Sequence, residues 1–162
     1  MQSPVPMFRR TLSTLSAILA TAEAHCAAQK IDPAVLVSSR LFPDMLPFAR
    51  QVMIATDAAK GMVARLTGVE NPSFPDVETT LPELRARIDR CIAFLDSAAP
   101  GAFDAADTRE VVIKTGRGEL HFTGADFLAT WAIPNFFFHV TTAYNILRHN
   151  GVPIGKADYL GG

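Results

Sequence analysis

Phe127–Leu147, FLATWAIPNFFFHVTTAYNIL, decides the fold: twenty-one residues without Lys, Arg, Asp or Glu, carrying six aromatic rings and a central His139. Upstream, Thr123-Gly-Ala-Asp126 has capping-box spacing, in which the threonine hydroxyl accepts an early backbone N–H and the aspartate bonds back to the cap. Downstream, Gly151 and Pro153 supply a left-handed cap and a stop. Between them Ile133, Phe137, Val140, Tyr144 and Leu147 recur at spacings of four, three, four and three, the inward seam of a packed helix. Phe136 and Ala143 widen that seam. Phe127, Leu128 and Trp131 point to the opposite side, and Pro134 after them lacks an N–H, which predicts a kink or local unwinding. A helix that is apolar on different faces along its length needs two partners: the bundle core, and either a hairpin or a second subunit.

The same length would span a bilayer. Pro134, Asn135, His139, Thr141, Thr142 and Asn145 dilute the stretch and no Lys/Arg cluster flanks it, so the reading is burial in protein, with no membrane partner.

The rest of the chain reads as three more helices and a hairpin. Phe8, Leu12, Leu15, Leu19, Ala22 and Cys26 lie on one side of a first helix over about Met7–Gln29. Arg9-Arg10 and the following TLSTLSAILATA resemble a secretory signal superficially, but Thr11, Ser13, Thr14 and Ser16 interrupt the apolar run, so a retained helix is expected. Asp32-Pro33 starts a short helix to about Ser38, and Arg40–Pro47 turns into a second long helix ending near Thr67. That helix has Phe48, Val52, Ala55, Ala59, Met62 and Leu66 inward, Gln51 on the margin and Asp57 on the solvated side. Val69–Thr79 is an ordered surface loop, and Thr80-Leu-Pro-Glu83 caps a third long helix to about Ser97 with Leu84, Ile88, Cys91 and Leu95 inward. Arg109–Lys114 and Glu119–Thr123 form a hairpin through Thr115-Gly-Arg-Gly118, with Val111 and Ile113 sharing a face with Leu120 and Phe122 and His121 on the polar side. A lone hairpin is marginal in water, so it must pack on a helix. The expected architecture is an all-α four-helix bundle with a small β-hairpin before the last helix, one domain over residues 1–162. The hairpin leaves room for a longer crossover, so an up-down-down-up order is open beside simple up-down.

Composition excludes several classes. Hydrophobic residues make up 49% and charged residues 19%, which is globular, and a net charge of −1 offers nothing to nucleic acid. Cys26 and Cys91 form neither a metal pair nor a disulfide framework, which fits a reducing, cytoplasmic compartment.

Pro134-Asn-Phe-Phe-Phe-His139-Val-Thr-Thr-Ala-Tyr144-Asn-Ile-Leu-Arg148-His149-Asn150-Gly151 with Ile154-Gly-Lys156, together with Arg40-Leu-Phe-Pro-Asp44-Met45 and Gln51, resembles a bacterial and fungal domain-of-unknown-function family, number nineteen ninety-three in its series. That family is similar to the DinB/YfiT-like metalloenzyme superfamily. The resemblance implies a DinB-like four-helix bundle, often dimeric, with no established activity. In the wider superfamily it implies a divalent-metal site of three histidines, one on helix 2 and two on helix 4 as H-x-x-x-H, serving thiol transfer or hydrolysis in some members. Here His139 matches one ligand, Ala143 stands four residues later, and no histidine lies between Asp44 and Thr67. The expectation is no intact three-histidine metal site and no cofactor.

The candidate ligand-pocket residues are His139, Tyr144, Asn135, Gln51 and Asp44. An imidazole near neutrality serves as acid, base or ligand, and equally as a hydrogen-bonded core residue. Gln51 and Asn135 read as paired amides fixing helix register, Tyr144 as an inward ring whose hydroxyl needs a partner, and Asp44 as a helix cap or a carboxylate rim. His25 beside Cys26 diverges by a helical step of about 100°, and the glycines of Arg148–Lys156 follow a helix instead of preceding one, so neither makes a metal or phosphate site. The function expected is small-molecule binding or a structural, interaction role in a homodimer. The alternative is a divergent enzyme, metal-dependent or using His139 as general acid/base.

Overall fold

The computed structural model describes residues 1–116 and 118–162. Its elements are α1 (Val5–Gln29), α2 (Pro33–Ser38), α3 (Phe48–Thr67), α4 (Leu81–Asp96), β1 (Glu110–Thr115), β2 (Gly118–Thr123), α5 (Gly124–Asp126), a π-helical segment (Phe127–Ala132), α6 (Ile133–His149) and α7 (Lys156–Leu160). The caps are those the residues dictate. Asp32 accepts from Ala34 N–H, Thr80 and Glu83 form the reciprocal box, and Gly68 closes α3 at φ 82°. The inward stripes of α1, α3 and α4 are buried as expected, with Phe8, Leu12, Phe48, Val52, Leu84 and Ile88 wholly inaccessible. Cys26 and Cys91 are both buried free thiols.

Direction follows from side-chain partners. Arg9 pairs with Asp96 and Glu23 with Arg85, so α1 and α4 are antiparallel. Gln51 meets His139, and Arg65 lies over Phe127, so α3 and the last helix are antiparallel too. Gly124 abuts Leu66 and the Ala106 carbonyl, while the Met1 ammonium binds the Phe103 carbonyl and Asp107. The end of α3, the end of α4 and the starts of α1 and α5 therefore share one end of the bundle. The order is up-down-down-up, and the element that makes it so is Val69–Thr79, which carries the chain back along the bundle between two parallel helices. The hairpin only bridges α4 to an antiparallel last helix. A return over α4, about 24 Å at 1.5 Å per residue, is within reach of an extended loop of that length.

The last helix departs from an ideal one where Pro134 requires it. Proline has no N–H for the Thr130 carbonyl, and the preceding turn widens: Ile133 N–H bonds to the Leu128 carbonyl, five residues back. The seam is turned toward its expected widening side, where Phe136 and Ala143 are buried with Val140 and Leu147. Phe136, Val140, Ala143, Ile146 and Leu147 are the core residues, whereas Ile133, Phe137 and Tyr144 are half-buried. Before the proline, Phe127 and Trp131 pack on Phe122 of β2, so the second apolar face is covered by the hairpin. The hairpin register pairs Val111 with Phe122 and Ile113 with Leu120, which puts those four on one face. Arg117, in the expected connecting turn, lies outside the described residues. Among the described residues no helix is long and apolar enough to cross a membrane.

Candidate functional site

The α3–α6 seam carries a directed hydrogen-bond chain. Gln51 is buried, and its Nε2 donates to the Leu46 carbonyl at 3.0 Å. The opposite amide orientation would set two oxygens against each other, so the carbonyl fixes the side chain. Its Oε1 then faces His139 Nδ1 at 2.7 Å, and two acceptors cannot share that distance. Nδ1 therefore carries the proton, and in the neutral ring Nε2 is the bare acceptor. Arg85 Nε is the buried side-chain nitrogen or oxygen without a partner among the described residues, so His139 Nε2 reaches solvent. Burial of the half-exposed ring lowers its pKa below the ordinary value of 6.5, which keeps the imidazole neutral at physiological pH. The arrangement presents a neutral, orientationally locked base at the surface of the seam.

Asn135 lies one turn before His139 on α6, and its amide makes no side-chain hydrogen bond among the described residues. It lines a cavity of about 180 Å³ between the end of α3 and the π-helical segment. Ile54, Ala58 and Arg65 form one wall, Phe127 and Trp131 the other, and Asp57 the rim. The two amides are thus not paired. Gln51 belongs to the imidazole and Asn135 to the cavity. Tyr144 is placed elsewhere, edge-on to Tyr159 of α7 with ring centres 5.6 Å apart, because the turned seam directs it away from α3. Asp44 is exposed and caps nothing; Pro47 precedes α3 and leaves the Leu46 carbonyl free to orient Gln51.

Asp57 is partly exposed, but its carboxylate is ion-paired, which spacing alone does not indicate. Its carboxylate binds Arg87 at 2.9 Å and Lys60 at 3.1 Å. Arg87 is wholly buried, with Nε on the Thr56 hydroxyl, Nη1 on the Pro75 carbonyl and Glu78, and Asp76 within 3.1 Å of Nη2. Arg90 adds a second cation to Glu78, and Arg50 to Asp76. Lys60, Arg87 and Arg90 all lie over the Phe74 ring at 4.9–5.6 Å. The signal was legible: Arg87 stands three residues after Leu84 and four before Cys91, on the inward stripe itself. A charge at such a position demands a buried partner. Cys91 beside it is inert, its thiol pushed up to about 12 by burial.

A three-histidine metal site does not fit these residues. The position facing His139 from α3 is an amide already bonded to it, and Ala143 is a buried core residue, so of the three expected ligands only His139 has a ring nitrogen to offer. Among the described residues no group of three or more His, Cys, Asp or Glu side chains is placed to hold a metal ion.

Residues 1–160 match the model of a family described as a domain of unknown function, DUF1993. Among solved structures the chain is similar to a DinB family member protein from Shewanella denitrificans, a crystal structure at 1.83 Å resolution. The identity is 46%, the match covers 98% of this chain and 89% of that one, and the TM-score is 0.91. No curated protein matches the chain.

Proposed function

The chain belongs to the DUF1993 family and is DinB-like in fold, and from that footing we propose that it is a small-molecule-binding bundle whose ligand lies along the α3–α6 seam, without a three-histidine metal site. The observation that carries this reading is the neutral imidazole of His139, held by Gln51 and Leu46 with Nε2 outward. A core histidine with only a packing role has no need of an accessible nitrogen. The ligand group suited to it is a hydrogen-bond donor, a hydroxyl or an N–H. The same geometry also favours a second reading, in which Nε2 takes a proton from a bound substrate as general base.

Two-dimensional ¹⁵N spectra of the imidazole should show the Nδ1–H tautomer at neutral pH and a midpoint below 6.5. The unfolded chain binds the proton first as pH falls, so this group's contribution to stability is present above about 6.5 and declines below it. Binding of a hydrogen-bond-donor fragment that shifts the Nε2 resonance should weaken over the folded-state titration. A His139→Ala protein that keeps its helical circular dichroism should lose that fragment. If the variant merely melts earlier and binds as before, the imidazole is structural and the proposal fails.

A homodimer is part of the same proposal. Phe138 next to His139 and Leu46 next to the turn that orients Gln51 are exposed by 57% and 45%, which supports a second copy covering that surface. Light scattering at micromolar concentration should give twice the chain mass, and Phe138→Glu should halve it; a monomeric unmodified protein rejects the dimer. A cytoplasmic setting accords with two buried thiols left unpaired.

A further inference from the structure

We propose that the cavity beside Asn135 selects a small monocarboxylic acid with an apolar body about the size of a six-membered ring, its carboxylate gripped by Arg65. This rests on the seam being a ligand site and names the ligand's class. Arg65 leaves the last turn of α3 and leans back over Gly61, where any Cβ would collide with its Nη1. Its guanidinium carbon stands 6.0 Å from the centre of the Phe127 ring. Arg50, Arg85, Arg87 and Arg90 each face a carboxylate, whereas Arg65 faces none among the described residues. It lines the cavity as a fork of N–H donors against an aromatic wall, the arrangement that recognises a planar carboxylate.

The acidic rim does not oppose this. Asp57 is held by Lys60 and Arg87, and the adjoining cluster sets four cations, Arg50, Lys60, Arg87 and Arg90, against the three carboxylates of Asp57, Asp76 and Glu78. That cluster carries one more cation than carboxylates, so Asp57 enters the rim with its charge already paired. Asn135 adds an amide donor with no side-chain partner, and Phe127, Trp131, Ile54 and Ala58 supply the apolar walls. Size sets the body: an apolar cavity of about 150 Å³ holds benzene, and this one is about 180 Å³.

Trp131 is the single tryptophan of the chain, so its fluorescence reads the cavity directly. The full chain is titrated with cyclohexanecarboxylate and with cyclohexanecarboxamide, its neutral isostere, both transparent at the excitation wavelength. The expected result is saturable carboxylate binding at least tenfold tighter than that of the amide. Arg65→Gln should abolish the preference. Gly61→Ala should do the same while leaving the melting temperature unchanged or higher, because its new methyl group displaces only the end of a flexible side chain. Equal binding of the two probes, an unaltered preference in Arg65→Gln, or no carboxylate response at Trp131 each overturns the assignment. If the donor fragment at His139 still binds in that event, the seam remains a ligand site and only its ligand class is wrong.

Discussion

Arg87→Met is expected to cost about 3–4 kcal/mol of unfolding free energy, read from urea denaturation followed by circular dichroism. The side chain is wholly inaccessible and satisfies groups from three parts of the chain: the Thr56 hydroxyl on α3, the Pro75 carbonyl in the crossover, and the Glu78 carboxylate, itself 4% exposed. Methionine fills the stem's space but leaves those acceptors without their donor, and an uncompensated buried charge dominates such losses. Each carboxylate keeps one other cation, Glu78 its Arg90, Asp57 its Lys60 and Asp76 its Arg50, which sets the value toward the lower end of the usual range. Domains of this size are stable by about 5–15 kcal/mol, so the variant should be marginal at room temperature. The loss has a location. Residues 69–79 run between parallel helices with no secondary structure of their own. Among the described residues Arg87 is the one buried side chain that binds Pro75, Asp76 and Glu78 together, so limited proteolysis should cut there first. Adding Glu78→Gln should restore part of the loss, because the charge that Arg87 neutralised is then gone. A cost under 1 kcal/mol with an uncut crossover would show that the loop is held by its Phe74 and backbone contacts instead.

Most of the scaffold was readable because it obeys local rules. Thr80 with Glu83, Asp32 before Pro33, and Gly68 after Thr67 are short-range signals, and the helices end where they say. The stripes of α1, α3 and α4 have clean helical spacing, so their core residues were legible. The last helix is legible in its length and in Phe136, Val140, Ala143 and Leu147, but not in which edge of the stripe packs deepest. Ile133, Phe137, Val140, Tyr144 and Leu147 all lie within the regular helix α6, where the same period fits Phe136, Val140, Ala143 and Leu147 as well, so spacing leaves the choice of inward edge to tertiary packing. That choice is why Tyr144 meets Tyr159 and not α3. Of the candidate site, Gln51 and His139 stand together as two margin residues on facing helices, which spacing can hint at. Their bond, 88 residues apart in sequence, depends on packing that no local pattern encodes. Asp57 does lie on the outer side of α3 that its charge and helical phase indicate, but its pairing with Arg87 is not legible, because the long crossover that brings Arg87's other partners over that side is invisible to periodicity.

Gly124→Ala should destabilise the protein by about 3 kcal/mol, although alanine is the better helix former and Gly124 opens a helix. Its backbone is not in the left-handed region, so no conformational strain opposes the change. Helix propensity alone would favour alanine by about 1 kcal/mol. Sterics decide instead. An added Cβ at residue 124 lands on the Ala106 carbonyl oxygen, 3.0 Å from the Ala106 carbon and 3.1 Å from a Leu66 methyl. Ala106 is a buried residue in the loop after α4, and Ala125 N–H already bonds the neighbouring Asp107 carbonyl at 3.0 Å, so the backbone has nowhere to move without breaking that bond. Overpacking against fixed backbone costs up to about 3 kcal/mol, and loss of the Ala125 bond adds about 1, so the net sign is unfavourable. The comparison that isolates the cause is Gly61→Ala, also inside a helix, where the new methyl meets only the mobile end of Arg65 and propensity should win. Thermal melts of the two variants should move in opposite directions from the parent. If both rise, the approach of α5 to the loop at Ala106 is looser than described, and with it the end of the bundle on which the up-down-down-up order rests.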